Sequence, residues 1–193
     1  MGAIFQSLGR TIIAGVVLVV ILLFAAGTFG RMDHAWGTFL MRYLHIASGV
    51  MWIGLLWYFN FVQIPSMQKI PDEQKPAIGK VIAPEALFWF RWAALATVIT
   101  GLLVAWMNGY IGSALAFQKP FTAIGIGMWL ALIMAFNVWF IIWPNQKKAL
   151  GIVQVEAAEK AKSARMAMLT SRFNTMLSIP MLYCMVAQQN GGL

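Results

Sequence analysis

Cysteine, acid and histidine are all scarce in this sequence, and each scarcity removes a class of chemistry. The single cysteine, Cys184, excludes an intrachain disulfide, and no Cys-x-x-Cys-His haem attachment site occurs among the 193 residues. Only six residues are acidic. None falls inside a long apolar run, so transport driven by a carboxylate at membrane depth is not expected. The two histidines, His34 and His45, form no His-x-x-x-His pair. There is no nucleotide-binding glycine loop, no Ser/His/Asp arrangement and no carboxylate cluster. Charged residues of both signs make up 10% of the chain, against about 25% in soluble domains.

What the chain does contain is apolar: 61% of it is hydrophobic. A water-soluble fold of this length has too much surface for its volume to hide that much apolar area, so lipid is the expected solvent. The apolar runs are ~20 residues long, the length a helix needs to cross the hydrocarbon core. Barrel strands would be about half as long and would alternate. The fold class that follows is all-α: a polytopic integral membrane helix bundle forming a single transmembrane domain, with five transmembrane helices at approximately residues 11–30, 38–64, 86–108, 121–143 and 168–187. The first run is read as a retained helix rather than a cleaved signal peptide. Pro65 and Pro144 are expected to end the second and fourth spans. The proline-bearing stretch Ser66 to Glu85 reads as a structured loop. The stretch before the last span, with Glu156 and Lys160 one favourable turn apart, reads as a cytoplasmic helix that either stands alone or runs on into span five.

The net charge of +8 orients the chain rather than marking a nucleic-acid partner. Arg10, Lys69, Lys75, Lys80, Lys147, Lys148, Lys160, Lys162, Arg165 and Arg172 fall on one side of the five-span arrangement. Arg31, Arg42 and Lys119 fall on the other. The bias predicts a bacterial inner-membrane protein with a cytoplasmic N-terminus and a periplasmic C-terminus.

Two groups of residues invite a functional reading. In span two, His45, Gly49, Trp52, Leu56, Phe59 and Gln63 share one stripe at 100° per residue. A histidine one turn before a glycine leaves a flat space that suits a planar macrocycle, so His45, Gly49 and Trp52 form a candidate haem b face with His45 as iron ligand. The same pattern also suits close helix packing. His34 lies ~16 Å away along a continuous helix, too far to share one iron. A second ligand would be a Met, a partner's histidine or a symmetry-related His45. With Met32 and Met41, His34 is also a weaker candidate for a soft metal. The second group is Arg91, Asn137, Arg172 and Asn174, candidate binders of a small anion or purine. Arg91 is expected to snorkel to the interface or to pair with Glu85. The plainer account of all four is hydrogen bonding between helices and contact with lipid headgroups.

Three stretches carry a resemblance. They are Met41-Arg42-Tyr43-Leu44-His45 with Gly49-Val50-Met51-Trp52-Ile53-Gly54 and on to Pro65; Asn137-Val138-Trp139-Phe140 through Trp143-Pro144-Asn145-Gln146-Lys147-Lys148 to Gly151; and Ser171-Arg172-Phe173-Asn174-Thr175 through Pro180 to Met181. Together they resemble the membrane domain of the cytochrome c-linked urate oxidase family, over about Arg31 to Met185. The shorter His-x-x-x-Gly-x-x-Trp-x-Gly pattern is also similar to small membrane proteins of copper resistance and haem biosynthesis. The urate oxidase resemblance implies a membrane domain joined to a C-terminal cytochrome c, urate oxidation to 5-hydroxyisourate, and electrons passed to the respiratory chain. With no haem c motif here, it implies a separate cytochrome c or another membrane subunit as partner. The expected function is an electron-transfer or oxidase component, or an accessory subunit, of a membrane bioenergetic complex. The alternatives are a cofactor-free assembly subunit and a small-anion or purine carrier.

Overall fold

The computed structural model describes residues 2–193, and among them every regular element is helical. Four helices are long and apolar enough to cross a membrane: α1, Leu8–Ala25; α2, His34–Met67; α3, Lys75–Met107; and α5, Thr122–Ala149. The five-residue α4, Ile111–Leu115, joins α3 to α5. The last helix, α6, spans Ala157–Asn190. It is more polar than the other four, carrying Arg172, Asn174, Thr175 and Ser178 through its middle.

The chain divides into two compact units, one up to Leu40 and one from Met41 to Leu193. In the first unit, α1 has no buried residue. A tight turn at Thr28–Arg31 follows it, and His34 opens α2.

In the second unit, side-chain contacts fix the helix directions. Trp57 Nε1 donates to Ser178 Oγ at 2.9 Å, and Asn60 Nδ2 donates to Ser171 Oγ at 2.8 Å. Moving up α2 therefore means moving down α6, so the two are antiparallel. The same reasoning sets α5 antiparallel to α6, because Gln188 Oε1 accepts from the Ile124 amide and Asn137 Nδ2 donates to Asn174 Oδ1. It sets α2 antiparallel to α3, through His45 with Thr97 and Phe59 with Phe90. The unit is an up-and-down bundle of four helices. Lys69, Lys75, Lys147, Lys148 and Lys160 gather at one end, and Arg42 and Lys119 lie at the other. Its apolar centre holds Trp52, Leu56, Phe59, Leu87, Phe90 and Met134.

The prolines do not act as stops. Pro65 lies inside α2, and Pro144 lies inside α5. Each follows a widened π-helical turn, Tyr58–Gln63 before Pro65 and Asn137–Ile142 before Pro144; Ile78–Ile82 stands in the same place before Pro84. A proline ring clashes with the carbonyl four residues back and has no N–H to give it. An extra residue in the preceding turn moves that carbonyl aside, and the helix continues. The expected structured loop from Ser66 to Glu85 shrinks accordingly to residues 68–74, because α3 starts at Lys75 with Pro76 in its first turn, where no N–H is required. The expected cytoplasmic helix is the start of α6 itself and runs on without a break.

Candidate functional site

The stripe read from α2 does turn inward: Trp52, Leu56 and Phe59 are buried, and His45, Gly49 and Gln63 are half-buried. What seats His45 comes from α3. Its Nδ1 lies 2.9 Å from the Thr97 carbonyl oxygen. A carbonyl only accepts, so Nδ1 carries the proton and Nε2 is left with its lone pair. The imidazole lies against the α3 backbone at Gly101, where a methyl group would stand 2.7 Å from His45 Cε1 and 3.0 Å from Nδ1. Gly49 plays a lesser part, since a methyl there would meet Thr97 Cγ2 at an ordinary 3.8 Å.

His45 borders a cavity of about 720 Å³ between α2, α3, α5 and α6. That volume is in the range for a cofactor-sized molecule, roughly 300–1,000 Å³. Trp52, Ile53 and Leu102 give it apolar walls, and three thioethers, Met128, Met181 and Met185, also border it. The Trp52 indole N–H has no acceptor within the protein. At the end of the bundle away from the lysines, the walls turn polar, with Arg42, Tyr110, Gln189 and Asn190. Burial raises the Tyr110 phenol above its ordinary pKa, and the positive charge of Arg42 pulls it back down.

The residues present fit a b-type haem. Ligation needs a neutral imidazole whose far nitrogen is fixed by a backbone carbonyl or carboxylate, and Thr97 does that for His45. A macrocycle needs space and apolar walls, and the cavity beside His45 supplies both. Among the described residues no group of three or more His, Cys, Asp and Glu side chains gathers to hold a bare metal ion.

The other candidates lie elsewhere. Asn137 Nδ2 donates to Asn174 Oδ1 at 2.8 Å, and Asn174 Nδ2 donates to the Met134 carbonyl at 2.9 Å, so this buried pair ties α5 to α6. Arg91, 9% exposed, stacks over the Trp143 ring at 3.4 Å. Glu85 is not its partner, accepting instead from Trp89 Nε1 at 3.1 Å. Arg172 is exposed. None of the four borders the large cavity.

Residues 110–191 match the family model described as urate oxidase N-terminal. That stretch is similar to the urate oxidase N-terminal family and covers less than half of the chain. No curated protein and no solved structure matches it. The matched stretch runs from Tyr110 through α4 and α5 and along α6 to Gly191. It therefore supplies one wall of the cavity, with Tyr110, Met128, Met181 and Met185. His45 and its α3 seat precede it.

Sequence reasoning singled out His45, Gly49 and Trp52, which the structure places beside the cavity, but not Thr97, Gly101 or Arg42. Thr97 and Gly101 stand one turn apart on α3, the same spacing as His45 and Gly49 on α2. Nothing in one sequence sets the register between two antiparallel helices, so that echo carried no signal.

Proposed function

We propose that this chain is a five-span membrane protein that serves as an electron-transfer component beside other redox proteins, with His45 holding a b-type haem in the cavity of the bundle. The supporting observation is the state of His45: Nδ1–H given to the Thr97 carbonyl, Nε2 without a hydrogen bond in the protein, and a cavity of about 720 Å³ beside it. That arrangement holds the imidazole in the tautomer and orientation an iron ligand needs. The haem would supply one-electron chemistry. The chain's part is to fix the imidazole, to offer a second ligand from among Met128, Met181 and Met185, and to keep water from the slot with Trp52, Ile53 and Leu102. Protein purified without chelators or harsh detergent should show a Soret band that shifts on reduction and is lost in His45→Ala. A colourless wild-type protein would reject the proposal.

The fifth span in this reading is α6. Three small polar residues of its middle, Ser171, Asn174 and Ser178, are buried, which is where such side chains sit in membrane helices. It also runs antiparallel to α5 along the length from Ile124 to Lys148, so a membrane crossed by α5 is crossed by α6. The lysine-rich end of the bundle then faces the cytoplasm of a bacterial inner membrane.

A second reading, a cofactor-free subunit of a larger membrane assembly, is favoured by α1, whose residues 12–25 are all apolar and offer a partner helix an apolar surface. Native mass spectrometry of gently solubilised membranes tests it, and a chain recovered alone would count against it.

A further inference from the structure

We propose that Arg42 anchors the carboxylates of the cavity's occupant, so that the haem enters with its propionate edge toward the Arg42–Asn190 end of the bundle and its apolar edge toward Trp52. This inference rests on the haem reading and adds the orientation and the charge of the ligand. Arg42 is half-buried at the cavity, and no carboxylate of residues 41–193 forms an ion pair with it. The two ion pairs are Lys75–Asp72 and Lys148–Glu159. No acidic residue of Met41–Leu193 borders the cavity. The other polar side chains that border the cavity at that end are neutral: the Tyr110 phenol and the side-chain amides of Gln189 and Asn190. These are groups that donate hydrogen bonds to an anion without cancelling the charge that attracts it. Arg42 also stands close enough to Tyr110 for its charge to be felt at the phenol.

The polar and apolar parts are segregated along the bundle. Arg42 precedes His45 by just under one helical turn, toward the end where α6 finishes, and Trp52 follows two turns deeper. The antiparallel register set by Trp57–Ser178 and Asn60–Ser171 brings Gln189 and Asn190 to the Arg42 level. An amphipathic planar dicarboxylate satisfies both zones at once. A purely apolar ligand leaves Arg42 unpaired, and a small anion leaves the apolar slot unfilled.

The full-length protein in detergent or nanodiscs, stripped of any haem, is titrated with iron protoporphyrin IX and with its dimethyl ester, the Soret band reporting binding. Wild type should prefer the free acid by roughly tenfold or more, the worth of one charged hydrogen bond. Arg42→Gln should bind acid and ester alike, and Arg42→Lys should restore much of the preference. Equal binding of acid and ester by wild type, or an undiminished preference in Arg42→Gln, overturns the inference while leaving His45 ligation intact. Binding of neither porphyrin overturns the haem reading and this inference with it.

Discussion

At the scale of single residues, the seat of His45 depends on a side chain that is missing. Gly101 lets the Cε1–Nδ1 edge of the imidazole come up against α3, and Thr97 offers its carbonyl to Nδ1. Gly101→Ala puts a methyl inside the contact distance of the ring, so the ring must swing away and give up that hydrogen bond. Haem affinity should fall roughly ten- to hundredfold, the usual cost of disturbing the group behind a ligand. Gly49→Ala, which meets Thr97 at van der Waals distance, should leave affinity unchanged. Soret titration of the two variants side by side distinguishes them. The Asn137–Asn174 pair has a different role. Asn174→Leu strands the Asn137 side-chain amide in the bundle centre and should lower unfolding stability by about 1 kcal/mol. Adding Asn137→Leu should cost less than the two single changes summed, because the second change removes a group the first left unpaired.

At the scale of elements, two contacts set how helices meet. Gly125 brings α5 against α4 so closely that a methyl there would collide with the Ala114 carbonyl oxygen. That obstacle is backbone and cannot turn aside, so Gly125→Ala should destabilise by about 1–3 kcal/mol, seen as a lower Tm in detergent. At the lysine-rich end, Lys148 Nζ gives Glu159 Oε1 a hydrogen bond of 2.9 Å across the α5–α6 junction. That bond, with the lysine charge, holds the Glu159 carboxyl below its ordinary pKa. A carboxylate lowered on folding stabilises the fold above its unfolded pKa, and the gain is lost as pH falls through the folded value. Thermal stability should therefore dip as pH drops below the ordinary glutamate range, modestly because the pair is exposed. The dip should shrink in Glu159→Gln and in high salt.

These element contacts also mark where sequence reading ended. The apolar runs of α1, α2, α3 and α5 are visible in composition because every residue of a lipid-facing helix must be apolar or hidden. Their ends were misplaced at Pro65 and Pro144, since a proline's effect depends on whether the turn before it widens, and residue type alone does not decide that. The inward stripe of α2 was legible from its period. The partners of His45 were not, because Gly101 and Thr97 gain their meaning from a neighbouring helix fifty residues on. In α6 the small polar residues Ser163, Ser171, Asn174 and Ser178 are buried while Lys160, Lys162, Arg165 and Arg172 are exposed, so its mean hydropathy says little about which face meets the bundle.

At the scale of the whole molecule, the claim is that alternate connections lie on opposite faces of a membrane. In a Cys184→Ser background, Lys75→Cys, Lys147→Cys and Lys160→Cys should be shielded together from an impermeant thiol reagent in intact cells. Lys119→Cys and Leu193→Cys should be labelled. Shielding of Leu193→Cys together with Lys160→Cys would return α6 to the cytoplasmic side and reduce the spans to four.

The measurement closest to the centre of all this is the reduced-minus-oxidised absorption spectrum of natively purified protein, recorded for wild type and His45→Ala at equal fold stability. A b-type difference spectrum in wild type that vanishes in His45→Ala is the expected result. A wild-type protein with no haem band, or a band that survives the loss of His45, contradicts it.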